Sequence, residues 1–63
     1  MNELIAAAVA FDSLGGMSAV YSSDNENSPV HKAWNTLINI VEDSHNHSAC
    51  IELVNQITPN FNY

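Results

Sequence analysis

Ser28-Pro29-Val30-His31-Lys32-Ala33-Trp34-Asn35-Thr36-Leu37-Ile38-Asn39-Ile40-Val41 is the stretch on which the fold turns. Val30, Ala33, Trp34, Leu37, Ile38 and Val41 recur at intervals of three and four residues, which lays one apolar stripe along a helix. Lys32, Asn35, Asn39 and Glu42 or Asp43 make up the opposite, polar face. Ser28 can accept hydrogen bonds from the free N–H groups of the first turn, and Pro29 at the first helical position gives up an N–H that has no intrahelical partner. The spacing predicts a helix over 29–43, with Trp34 as its largest core contributor.

Working outward toward the C-terminus, Ser44 to Ser48 is a polar break, and Ser44 or Ser48 can cap a last helix over 48–57. That helix carries Cys50, Leu53, Val54 and Ile57 on one face, with Ile51 beside it. Thr58-Pro59 stops it, because a residue before proline is pushed out of helical angles. Phe61 and Tyr63 in the tail either fold back on the core or form a contact surface. Toward the N-terminus, Ser23 to Ser28 has no apolar residue, and its Asn, Asp and Ser side chains compete for backbone hydrogen bonds, which predicts an acidic loop over 23–28. Met17, Val20 and Tyr21 continue a helical spacing, and a short strand there would lack a partner, so a second short helix or turn is favoured. Gly15-Gly16 supplies a stop through the left-handed conformation. Before it, Leu4, Ala8 and Phe11 share one face, with Ile5, Ala7 and Val9 beside them and Asn2 placed to cap, which predicts a helix over 2–14. The expectation is an all-α single domain over 1–63, of three to four short helices, with Leu4, Val9, Phe11, Leu37 and Ile38 in its core.

Seven acidic side chains (Glu3, Asp12, Asp24, Glu26, Glu42, Asp43, Glu52) stand against one basic residue, Lys32, for a formal charge of −6 in 63 residues. A chain this short buries only about 60% of the surface its unfolded form exposes, which leaves no room for a large enzyme fold. At 46% hydrophobic residues it is nonetheless too apolar for the composition of disordered chains. One cation cannot neutralise a run of phosphates, so direct binding to nucleic acid or to an anionic membrane is not expected. The same field favours basic partners. Cys50 stands alone and can form no internal disulfide, which points to a reducing, cytoplasmic setting. The apolar run Leu4 to Phe11 has no basic residue before it and is far shorter than the roughly twenty residues of a membrane span. Asn46-His47-Ser48 fits a glycosylation acceptor by pattern, but nothing in the sequence provides a secretory route.

Several groupings carry the outline of a chemistry and lack its essentials. Glu42, Asp43, His45, His47 and Cys50 hold every usual zinc-ligand type within nine residues, yet a structural zinc site uses two ligand pairs, and no second pair exists. Asp24, Glu26 and Ser28 alternate as in a calcium loop, without its glycine or its closing glutamate. Cys50 with His45 or His47 could be imagined as nucleophile and base, with no oxyanion hole to serve them. Asp12 and Ser13 beside Gly15-Gly16 lack the lysine and strand of a phosphate loop. Neither enzyme activity nor a cofactor is expected.

Two functions remain. Carboxylates held on a rigid surface at phosphate-like spacing would occupy a Lys- and Arg-lined groove, with Asp24, Glu26, Glu42, Asp43 and Glu52 as the contacts. In size and composition the chain resembles the small inhibitors carried by phages and other mobile elements, such as anti-CRISPR and antirestriction proteins. That resemblance carries no motif and assigns no residue. It implies a non-enzymatic inhibitor that blocks a nucleic-acid-binding site on a host protein. The alternative is a small interaction domain that binds another chain through an apolar patch at Trp34, Tyr21, Phe61 or Tyr63. A thin core also makes a homodimer one remedy open to so short a chain.

Overall fold

The computed structural model describes residues 3–62 and shows four helices and no strand among them. They are α1 (Glu3–Ser13), α2 (Gly16–Ser22), α3 (Pro29–Glu42) and α4 (His47–Ile57). The fold is a small all-α single domain. The predicted cap at Asn2 and the predicted contact at Tyr63 lie outside the described residues.

Helix α3 begins as its sequence requires. Ser28 holds extended backbone angles, its Oγ accepts the His31 N–H, and Pro29 occupies the first turn. The helix ends at Glu42, with Asp43 as its C-cap, one residue earlier than the spacing predicts. The last helix starts one residue sooner than expected and on a different cap. Asn46, rather than Ser44 or Ser48, accepts the Ala49 N–H at 3.2 Å through its Oδ1. Ser44 is occupied elsewhere, its Oγ accepting both the Asn46 N–H and the Cys50 thiol.

The open question over 17–22 resolves as helix. Gly15 and Gly16 take φ values of +116° and +63°, which turn the chain so that α2 leaves α1 at 54°. A Cβ on Gly15 would lie 2.6 Å from the Ala19 Cβ, so the corner needs glycine for space as well as for its backbone angle.

Leu4 of α1 shares a cleft with Asn39 and Ile40 near the end of α3, and with Cys50 near the start of α4. At the other end of the molecule Gly16 abuts Thr58, and the Trp34 Nε1–H donates to the Asn62 carbonyl at 2.9 Å. Helices α1 and α4 therefore run alongside each other, and both run antiparallel to α3. Between them Phe11, Leu37, Val41 and Val54 are fully buried, joined by Ala8, Met17, Val20, Val30 and Phe61. Phe61 meets Phe11 edge to face, with ring centroids 6.1 Å apart. The tail is thus a structural part of the core.

Four core expectations change. Phe11 and Leu37 sit at the centre as predicted, while Leu4 and Ile38 pack against the core only partly buried. Val9 is 49% exposed, and Ala8 takes the inward position. Trp34 is half-buried, lying over the core with its indole N–H turned to the tail, so Phe11 supplies the largest fully buried side chain instead.

Candidate functional site: the acidic surface

All seven carboxylates are exposed. Among the described residues the side chains that cap and brace the backbone are Ser, Thr and Asn, with Trp34 and His47, and no carboxylate does so. In the 23–28 loop, Ser23 Oγ accepts the Asn25 N–H and Asn25 Oδ1 accepts the Asn27 N–H, at 3.3 and 2.9 Å. Neutral residues hold this loop, and Asp24 and Glu26 between them stay in solvent.

The predicted contacts do not form one cluster. Glu42 and Asp43 stand together at the end of α3. Asp24 and Glu26 precede its start, separated from that pair by the helix length of about 20 Å. Glu52 is exposed in the middle of α4. The fold adds one carboxylate that local sequence could not assign: Glu3, at the start of α1, shares a cleft of about 1100 Å³ with Glu42 and Asp43. Leu4 and Ile40 give that cleft an apolar lining, and Ser44 and Cys50 complete it. Only the antiparallel packing of α1 on α3 brings residues so distant in sequence together.

Where these acids sit relative to the helix dipoles is informative. A carboxylate is favourable at a helix N-terminus and unfavourable at the C-terminus, where carbonyl oxygens already concentrate negative charge. Glu3 is in the favourable position. Asp12, Glu42 and Asp43 are in unfavourable ones, at the ends of α1 and α3, and no helix has a basic residue in its last turn. The first turns of α3 and α4 hold no acid. Helix stability does not account for this distribution.

The remaining polar groupings have structural employment. His47 Nε2 lies 3.2 Å from the Glu42 carbonyl oxygen, one of the carbonyls left free at the end of α3. The Cys50 thiol donates to Ser44 Oγ at 3.0 Å. Among the described residues no three His, Cys, Asp or Glu side chains converge as a metal site would require. No single described helix is long and apolar enough to cross a membrane.

Of the apolar candidates, Phe61 is buried and Trp34 is engaged with the tail. Among the described candidates Tyr21 alone is well exposed, at 71%. Exposed apolar surface lies instead on the outer side of α1, at Ile5 and Val9, and just past its end at Leu14. The signal for it was present in the sequence: Glu3–Ser13 has apolar residues all around the helix, more than one buried stripe can absorb. Comparison of the chain with protein-family models, curated proteins and solved structures finds no match.

Proposed function

We propose that this chain is a non-enzymatic inhibitor that occupies a Lys- and Arg-lined nucleic-acid-binding site on a host protein. The observation that carries this reading is the set of seven exposed carboxylates, of which only Glu3 favours its helix and three stand at helix ends where they cost stability. A surface tuned for folding or solubility alone intersperses both signs of charge. Here one lysine is the whole basic complement.

Charge density narrows the class of site. The longest dimension of the molecule is 32 Å. Over that length one nucleic-acid strand, at one charge per about 3.4 Å, presents about nine phosphates, and a duplex about nineteen. The five carboxylates at the two ends of α3 are about half the charge of the single strand and about a quarter of that of the duplex. The fit is therefore to a channel that tracks one strand, with Glu3, Glu42 and Asp43 at one end of α3 and Asp24 and Glu26 at the other.

The test is affinity capture of partners from the native host cell at low and high salt, followed by oligonucleotide competition on the captured protein. The expected partner binds single-stranded nucleic acid, releases it when the chain is added, and is lost steeply as salt rises. Unimpaired binding by a variant with lysine at 24, 26, 42 and 43 would sink the proposal. The alternative, an interaction domain bound mainly through apolar surface, predicts binding that is indifferent to salt or strengthened by it. Its candidate surfaces are Tyr21 and the outer side of α1, since Trp34 and Phe61 are engaged within the fold.

A further inference from the structure

Helix α1 turns Ala8 and Phe11 into the core, with Leu4 and Ala7 packed against it. The opposite side presents Ile5, Ala6, Val9 and Ala10 to solvent, with exposed Ser13 one turn beyond Val9 and Leu14 just past the helix end. Helices apolar on all sides are ordinarily covered on all sides. The two alanines, one turn apart, leave a shallow track between Ile5 and Val9 on one edge and Leu14 on the other.

The occupant of this track is specified by charge. Carboxylates bound the track at both ends: Glu3 with Glu42 and Asp43 across the shared cleft at one, and Asp12 at the other. A second copy of the chain is a poor match. Pairing α1 with α1 of another copy sets Glu3 against Asp12 in one orientation, or each against its own equivalent in the other, and joins two bodies that each carry −6. A helix with an apolar stripe and cations at its two ends meets every feature of the track.

We propose that the outer side of α1 docks an amphipathic helix of the partner whose apolar stripe is flanked at both ends by Lys or Arg. The stripe covers Ile5, Ala6, Val9 and Ala10. A terminal Lys or Arg lays its aliphatic stem along Leu4 and Ile40 and presents its charged head to Glu42 and Asp43. The inference rests on the proposed function in one respect, the basic character of the partner, and adds the element recognised and its place on the fold.

The test uses the full chain and two fluorescent peptides, read by anisotropy. One has leucines at helical spacing with lysines at both ends, and the other has the same composition scrambled. Val9→Glu separates the contributions, because it removes apolar contact while adding negative charge. The expected result is that the striped peptide binds at least about tenfold more tightly than the scrambled one, and loses about tenfold on Val9→Glu. Ala6→Glu, also on the exposed side, repeats the test, and unchanged far-UV circular dichroism shows that each variant is folded. Equal binding of the two peptides overturns the inference and leaves the charge-based function standing. So does tighter binding of the striped peptide by Val9→Glu. Absence of binding by either lysine peptide ends both. A dimer in sedimentation that Val9→Glu dissolves assigns the track to a second copy, and α1-dependent binding to phosphatidylcholine vesicles assigns it to a membrane surface. Either of these outcomes overturns the proposal.

Discussion

Removing the Phe61 ring tests whether residues 58–62, after α4, are part of the fold. Phe61 is only 6% exposed and packs edge to face on Phe11, itself fully buried. Its backbone N–H donates to Asn55 Oδ1 at 3.0 Å, a bond that alanine keeps, so Phe61→Ala isolates the ring. Truncating a core phenylalanine costs about 3–5 kcal/mol, transfer and cavity together. A 63-residue domain, at about 0.05–0.15 kcal/mol per residue, has about 3–9 kcal/mol in total. One substitution at the chain's edge therefore removes much of the stability, and the Tm should fall by about 12 °C or more. Urea unfolding followed by far-UV circular dichroism measures the loss, with Tyr21→Ala, at a 71% exposed position, as a control expected within about 0.5 kcal/mol of the parent. A loss below about 1 kcal/mol for Phe61→Ala, with an unchanged denaturant slope, would refute the packed tail.

Ser28→Ala and Asn46→Ala should each cost about 1 kcal/mol in thermal or urea melts, and glycine at either position only a few tenths, because each cap satisfies a free N–H of its helix. Gly15→Ala should cost about 2 kcal/mol or more by the same measurement, combining a φ of +116° with a Cβ placed 2.6 Å from that of Ala19. Glu42→Gln with Asp43→Asn should raise the Tm by a few degrees at low salt and leave it unchanged at 1 M salt, since both carboxylates oppose the dipole of α3. The same double variant should weaken partner binding, so stability and affinity move in opposite directions.

The helices were legible where local chemistry decides them. Ser28-Pro29 with the stripe from Val30 to Val41 specifies α3 almost to the residue, and Gly15-Gly16 marks a corner that only positive φ angles can make. Periodicity lost its power in α1, where an apolar residue at nearly every position cannot say which side turns inward. Val9 was expected in the core, and Ala8 lies there instead. Asn46 escaped notice as a cap because two serines compete for that role in the same break, and only the fold shows Ser44 engaged with Cys50. The acidic surface was half legible. Exposure of Asp24, Glu26, Glu42, Asp43 and Glu52 follows from their charge, and the helix between Asp24 and Glu26 and the pair Glu42 and Asp43 already sets those acids apart, but the arrival of Glu3 beside Glu42 and Asp43 is a product of tertiary packing.

The hydrogen bond from Trp34 to Asn62 has a spectroscopic consequence. Trp34 is the only indole in the chain, half-buried, with the His31 ring edge-on at 6.1 Å and the tail across its N–H. Intrinsic tryptophan emission therefore reports on one place, the docking of residues 58–62 against α3, while far-UV dichroism reports on the helices. If the tail opens locally before the domain unfolds, emission shifts to the red at lower urea than ellipticity falls. Coincident transitions would mean that the tail and the four helices come apart as a single cooperative unit.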